Sequence, residues 1–398
     1  MEWKMEALGD IAFMTSGGTP SKKHPEYYKN GTIPWVRSGE LENGAIRDTE
    51  IMITPAGLDN SSAKIFPKGT LLIALYGATI GKLAYLDIEA CTNQAVCGIF
   101  ENDKVSLKYL YYFLLFHRPN LVKQGIGGAQ PNISQTILKK LMVSYPVDRA
   151  EQLRIVARIE ELFSELDNGV ETLQKTKQQL AVYRQAVISS AFPEMTIANT
   201  VRLDEISDIS GGITKGRDLS KQETMHLPYL RVANVQNGYL DLSLMKSIEL
   251  KASEIDKYLL HPGDVLYTEG GDRDKLGRGT VWRGEIPNCV HQNHIFKARL
   301  DKVKANPTYV AYWSMSAFAR NYFYNKGKQS VNLASINKTV LSALTLPLPT
   351  LKEQESIVKE IEARLSVCDE LEKTVENTLL QAQAMRQSIL KQAFEGRL

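Results

Sequence analysis

Apolar residues fall at Ile155, Ile159, Leu162, Leu166, Val170, Leu173, Leu180, Tyr183 and Val187. Steps of three and four are the stripe of an amphipathic helix. Pro146 and Pro193 flank the stripe where start and stop signals belong, and no proline lies between them. The pattern predicts one long helix over 149–192. A second stripe passes through Ile357, Ile361, Leu365, Cys368, Leu371, Val375, Leu379, Ala382, Met385 and Ile389, and predicts another over 351–398. Forty-odd residues at the helical rise make rods of roughly 60 Å. The remaining segments, 1–148 and 193–350, are patterned differently. Leu71 to Tyr76, Ala95 to Phe100 and Val265-Leu266-Tyr267 are continuous apolar runs that read as buried strands. Gly17-Gly18, Asn30-Gly31, Asn43-Gly44 and Gly127-Gly128 punctuate them as turns. The apolar stretches 107–116 and 307–315 read as short helices. The expected organisation is an α+β chain in which a globular α/β domain, a connector helix, a second globular domain and a second connector helix follow one another.

The chain also repeats itself. Ile33-Pro34-Trp35-Val36-Arg37 returns as Leu227-Pro228-Tyr229-Leu230-Arg231, and Asn43-Gly44 as Asn237-Gly238. Pro67-Lys68-Gly69 returns, one residue out of step, as Pro262-Gly263-Asp264. Cys91-Thr92-Asn93-Gln94 returns as Cys289-Val290-His291-Gln292, and Asn132-Ile133 as Asn332-Leu333. Both stripes share Glu-Gln near their start (Glu151-Gln152, Glu353-Gln354) and Arg-Gln…Ala-Phe near their end (Arg184-Gln185…Ala191-Phe192, Arg386-Gln387…Ala393-Phe394). A period of roughly 200 residues is far longer than the 20 to 50 of a solenoid. It is a duplicated domain plus connector. A polar helix with one apolar stripe needs a partner, and each stripe's natural partner is its own repeat in a coiled coil. Connectivity then makes the pair antiparallel, with the two domains pseudo-symmetric about it. The competing arrangement folds each helix onto its own domain.

Composition is that of a globular protein, without an apolar run near the ~20 residues of a membrane span. Four cysteines without close pairing fit a reducing, cytoplasmic setting. Net charge is +3, with 15 basic against 14 acidic residues in 1–148 and 20 against 16 in 192–351. The globular parts are slightly basic, which gives weak support to nucleic-acid binding.

Catalytic patterns mostly fail. Gly77-Ala78-Thr79-Ile80-Gly81-Lys82 has three residues between its glycines instead of a phosphate loop's four, and Leu83 where Ser or Thr belongs, so it reads as a turn between strands. Asp241, Glu249 and Lys251 have the spacing of a metal-dependent nuclease, but the first copy lacks them. Cys289, His291 and His294 lack a fourth zinc partner, and histidines within a strand are the better reading.

Several motifs occur in one order along the whole chain: Ser16-Gly17-Gly18-Thr19-Pro20, Ile33-Pro34-Trp35, Tyr76-Gly77-Ala78-Thr79-Ile80-Gly81-Lys82, Thr92-Asn93-Gln94-Ala95, Gln130-Pro131-Asn132-Ile133-Ser134, and a proline followed by Glu-Gln at the start of each connector. In these the chain resembles the specificity subunits of type I restriction–modification enzymes. The resemblance implies two target-recognition domains, 1–148 and 193–350, each reading one half of a split, asymmetric site on double-stranded DNA. It implies connectors, 149–192 and 351–398, that set the spacing and dock two methyltransferase subunits, with restriction subunits in the full complex. It also implies a non-catalytic, cytoplasmic chain with no membrane association and no cofactor of its own, the S-adenosylmethionine, ATP and Mg²⁺ belonging to partner subunits.

DNA readers use Arg, Lys, Asn and Gln on loops, for base edges and for phosphates. The candidates are Lys22, Lys23, Arg37, Ser38, Tyr76, Lys82, Gln130 and Asn132 in the first copy. In the second they are Lys215, Arg217, Arg231, Asn234, Arg273, Lys275, Arg278, Lys328, Gln329 and Asn332. Arg37 and Arg231 are repeat equivalents, so they share a phosphate contact or a structural ion pair. Trp35 and Tyr229 read as core. Near the connector ends Val182, Tyr183, Ile188, Met385 and Leu390 widen the apolar surface and are candidates for partner docking. A scaffold that binds only protein, and a nuclease in its own right, are the alternatives.

Overall fold

The computed structural model describes residues 2–124, 132–192, 200–216, 219, 223–329 and 333–398. The turn at Gly127-Gly128 and the candidates Gln130, Arg217 and Asn332 lie outside them. The chain divides into two compact units, Met1–Thr172 with Asn377–Leu398, and Leu173–Glu376. The connector helices are Arg149–Ser190, of 42 residues, and Leu351–Phe394, of 44. The division falls inside both, because each unit takes the start of one helix and the end of the other. No helix among the described residues is long and apolar enough to cross a membrane. The four cysteines are free and buried.

In the first unit Trp3–Ala7 pairs antiparallel with Met142–Pro146, the strand that feeds the first connector. A five-stranded sheet runs in the order Met14–Ser16, Val96–Ile99, Leu71–Ala74, Leu83–Leu86, Ala45–Ile46. A second sheet runs Met52–Ile53, Ile33–Val36, Ala90–Thr92, Ile65–Phe66. The second unit repeats this with Thr200–Arg202 on Thr345–Pro347, a sheet of Ser207–Gly211, Ile295–Leu300, Val265–Thr268, Gly279–Val281, and another of Lys246–Lys251, Thr224–Leu230, Val290–His291. It adds a small sheet of Gly270–Gly271, Ala334–Ser335 and Lys328–Gln329. The apolar runs became central strands because both faces are covered: Leu71, Leu72 and Ile73 are fully buried. The helix expected over 107–116 extends over Leu107–Gln124 and passes through Pro119. Leu121, 1% exposed, keeps that last stretch on the core. The helix Pro307–Met315 has the expected length.

Strand pairing corrects the repeat's register. The parallel pairs Trp35–Cys91 and Tyr229–Val290 make Val290, not Cys289, the counterpart of Cys91. His291 therefore matches Thr92. Ile133 N–H donates to Leu75 O and Ile336 N–H to Glu269 O, both at 2.8 Å. The counterpart of Asn132 is thus Ser335, not Asn332, and the helix caps Ser134 and Asn337 fall into line. Loops of unequal length shifted the letter match while the sheets kept their own.

Each connector is tied to the domain it leaves by one buried glutamine. Gln152 Oε1 accepts from Ser106 N–H at 2.9 Å, and its Nε2 donates to Lys104 O and Pro146 O, both at 2.9 Å. Gln354 does the same with Asn306 N–H at 2.8 Å, Lys304 O at 3.1 Å and Pro349 O at 2.7 Å. Both side chains are completely buried. The far end of the other connector is held by an aromatic anchor. In the first unit the Phe394 ring lies 5.3 Å from those of Tyr109 and Phe113. In the second, Phe192 lies 5.5 Å from Tyr309 and 5.2 Å from Trp313. These two devices account for the repeated Glu-Gln and Ala-Phe signals.

Ion pairs give the direction of the helices within each unit. In the second unit Lys177 pairs with Glu376 at 2.6 Å, and Arg184 with Asp369 and with Glu372, the latter at 3.0 Å. Partners step back along one helix as they step forward along the other, so the stretches run antiparallel. In the first unit Arg386 pairs with Asp167 and lies 4.8 Å from the Phe163 ring centroid. Ion pairs this open to solvent add little stability and act mainly on register.

Replacing Gln152 with alanine leaves a buried N–H and two buried carbonyls unmet. The expected cost is about 2–4 kcal/mol. Hydrogen exchange should quicken in 142–146 and 104–110 and stay unchanged in 345–349, with Gln354→Ala giving the reverse. Equal effects on both units would contradict the local clamp.

Candidate nucleic-acid interface

The repeated glycine pair organises one rim of each domain. Strand Met14–Ser16 ends at Gly17, where a Cβ would lie 2.0 Å from Thr92 O, and at Gly18 a Cβ would lie 2.3 Å from the Ser62 backbone. Only glycine permits that approach. Trp35 Nε1 donates to Gly18 O at 2.9 Å from a nearly buried ring, which makes Trp35 core. The chain leaving this turn brings Thr19 onto Gln94 Oε1, while Gln135 Nε2 donates to Ser16 Oγ at 2.6 Å. Tyr76 forms a β-bridge with Asn132. Burial raises the Tyr76 phenol pKa, and a hydrogen bond with Gln94 opposes the rise. Ser16, Thr19, Tyr76, Gln94, Asn132 and Gln135 therefore form one polar rim of hydroxyls and amides. Sequence patterning marked only Tyr76 and Asn132 as contacts. Thr19 and Gln94 stood in the quoted motifs, without a sign that the fold joins them.

Lys22 and Lys23 are exposed on the loop that follows, and Lys82 is partly exposed at the foot of the hairpin between Leu71–Ala74 and Leu83–Leu86. That hairpin is the Gly77–Gly81 segment, a turn between strands as expected. Ser38 opens a one-turn helix, Ser38–Glu40. Arg37 is held by two carboxylates, Glu40 (3.4 Å from Nε) and Glu50. Its charge is therefore offset within the domain.

In the second unit a Cβ on Gly212 would lie 2.0 Å from His291 O, the same approach as at Gly17. The rim beyond it differs. Arg273 Nε donates to Tyr324 O at 3.1 Å, and its guanidinium sits 4.5 Å from the Tyr324 ring centroid. Lys275 pairs with Asp272, and Arg278 donates to Gln236 Oε1 at 3.3 Å. Lys328 and Gln329 are exposed on the edge of the small sheet whose other edge, Gly270–Gly271, leads into the Arg273–Lys275 turn. Four basic side chains are thus gathered by one loop and one strand. Lys215 is exposed, its Nζ 5.6 Å from the Tyr229 ring centroid.

Three sequence expectations are corrected. Asn234 is 2% exposed; its Oδ1 accepts from Arg231 N–H at 2.9 Å and its Nδ2 donates to Asp241 O at 2.8 Å, so it shapes the loop and cannot read a base. Ile188 and Leu390, at 3% and 1% exposed, are spent in the cores of their own units and are not free for a partner. Val182, Tyr183 and Met385 are exposed, at 71%, 51% and 54%.

No group of three or more metal-ligating side chains occurs among the described residues. Asp241 accepts from Ser243 and Glu249 from Thr224, each a local contact. His294 Nδ1 faces Glu269 at 2.6 Å. His291 is buried, with Nδ1 3.1 Å from Tyr258 O. It belongs to a polar cluster with Lys297, which donates to Lys257 O and Leu259 O, and with the two-point ion pair of Arg299 and Asp264. Register places Thr92, Gly98, Phe100 and Thr70 at these four positions in the first unit. There the rings of Phe66 and Phe100, 5.2 Å apart, fill part of the space.

The family model described as "Type I restriction modification DNA specificity domain" matches residues 1–180 and again 198–381. The chain belongs to this family. It is 26% identical to the type I restriction enzyme StySPI specificity subunit of Salmonella potsdam, over all of this chain and 89% of that protein. It is 24% identical to the EcoKI specificity subunit of Escherichia coli K12 over the same shares. A solved chain described as giving the structural basis of complex assembly and conformational transition of the type I R-M system superposes with a TM-score of 0.75. That match covers 100% of this chain and 98% of the other at 18% identity, a likeness of fold. Both members of the duplicated pair are family domains, so the two rims are variants of one surface.

Burial, and then the Lys297 charge, hold the His291 pKa down at about 4. In the unfolded chain it returns to about 6.5. A pKa depressed on folding means that the stabilisation of neutral His291 is present above about 6.5 and is lost as pH falls towards 4. The opening equilibrium of 295–300, read from exchange rates divided by the intrinsic rates at each pH, should therefore rise as pH falls through that window, by up to about tenfold per pH unit. His291→Thr, the first unit's residue, should flatten the dependence. An unchanged slope in that variant would assign the acid sensitivity elsewhere.

Proposed function

We propose that this chain is the DNA-specificity subunit of a type I restriction–modification complex. Each domain reads one half of a bipartite, asymmetric site on double-stranded DNA. The observation that carries this is the pairing of one scaffold with two unlike rims. The glycine turn, the aromatic residue behind it and the glutamine clamp recur in both units. The first rim offers hydroxyls and amides, and the second a cluster of arginine and lysine. A repeated reader with different contacts suits two unequal half-sites, since base edges are distinguished by donor and acceptor pattern.

The chain itself is non-catalytic and cytoplasmic. Two methyltransferase subunits dock on the connectors, with Val182 and Tyr183 in one unit and Met385 in the other as exposed apolar contacts, and restriction subunits join the full complex. S-adenosylmethionine, ATP and Mg²⁺ are held by those partners. The remaining candidates divide by unit. Lys22, Lys23, Ser38, Tyr76, Lys82 and Asn132, with Thr19, Gln94 and Gln135, face one half-site. Lys215, Arg273, Lys275, Arg278, Lys328 and Gln329 face the other.

Co-expression with the cognate methyltransferase, followed by sequencing of adenine methylation, tests this. A split, asymmetric motif should appear only when this chain is present. If both proteins are soluble and associated yet no motif is methylated, the chain is a protein scaffold and the proposal fails.

A further inference from the structure

We infer that the second domain carries a phosphate-binding site centred on Arg231, and that the first domain closes the equivalent site with its own carboxylates. This rests on the DNA reading above and adds which half holds a backbone anchor.

Arg37 and Arg231 are matched by geometry as well as by letter. Each precedes a one-turn helix, and each backbone N–H is capped by the residue three positions on, Glu40 or Asn234, at 2.9 Å. The surroundings of the two guanidinium groups differ in charge. Arg37 meets Glu40 and Glu50. The counterpart of Glu40 is the neutral Asn234. Strand register pairs Ile33 with Ile53 and Leu227 with Ile248, which makes Met245 the counterpart of Glu50. Both carboxylates are therefore missing around Arg231. Its Nη2 donates to Leu244 O at 2.8 Å, while its Nε is buried without a hydrogen-bond partner.

The neighbouring groups point the same way. Tyr229, two residues back on the strand, is fully buried with its hydroxyl unpartnered. Lys215 Nζ lies 5.6 Å from that ring's centroid. A half-buried guanidinium without a counter-charge is unfavourable, and buried charges are normally paired. Among the described residues the arrangement holds two cations, one phenol and no carboxylate, so its complement is an oxyanion. Arginine binds phosphate through two parallel N–H donors. A guanine edge would take the same donors but bring no charge to offset the guanidinium, so phosphate is the better complement.

The test is the salt dependence of duplex affinity for the full chain in complex with its methyltransferase, from about 50 to 200 mM KCl. Each phosphate contact contributes about 0.9 to the slope of log K against log salt. Arg231→Met should lower the slope by about that amount on specific and unrelated duplexes alike, while Arg37→Met leaves it unchanged. Arg231→Lys should retain most of the slope. Met245→Glu places beside Arg231 the carboxylate that Arg37 has, and should reproduce the loss with the arginine still present. Equal slopes for wild type and Arg231→Met would overturn the inference. So would a changed methylated base with an unchanged slope, which would make Arg231 a base reader. A wild-type complex without salt-dependent duplex affinity would instead bring down the DNA reading itself.

Discussion

A fully buried glutamine at the foot of each connector is the constraint on which the rest of each unit depends. Gln152 and Gln354 each satisfy one N–H and two carbonyls drawn from two separate segments. A side-chain amide is suited to this task, because it accepts and donates at once and carries no charge to desolvate. The first turn of a 42- or 44-residue helix is thereby fixed to the strand and helix of the domain it leaves. Phe394 and Phe192 then seat the other connector's end in the same core. Polar geometry sets the angle of departure, and apolar burial supplies the affinity.

With that frame held by buried groups, the rims are free to differ. The glycine approach to Thr92 O or His291 O is a backbone contact, indifferent to the side chains around it. Beyond it, one unit places Thr19, Gln94 and Gln135, and the other Arg273, Arg278 and Lys328. Divergence also reaches the interior. The space that Phe66 and Phe100 share in the first unit corresponds to a region of Lys297, Arg299, Asp264 and His291 in the second. The two domains thus share a topology and differ in the charged groups they hold inside it.

Much of this was legible in the sequence. Three-and-four spacing without proline located both connectors, because helical periodicity accumulates over many turns. The duplication was readable wherever an identical residue does an identical job, as at Gln152 and Gln354 or Phe192 and Phe394. It misled where identical letters do different work. Cys91 and Cys289 are one residue out of structural register, and Asn132 is matched by Ser335, since loops change length while strand pairing does not. Asn234 looked like a reader because burial is a tertiary property that no local pattern reveals. Ile188 and Leu390 looked free for a similar reason: a helix shows its apolar stripe in sequence, but not which part of the stripe its own domain covers.

The chain holds two separate readers built on one repeated scaffold. Exchanging residues 1–148 for the matching segment of the StySPI relative, and then sequencing the methylated motif, tests it most directly. One half of the motif should change while the other half stays as it was. A motif that changes in both halves, or in neither, would contradict the account.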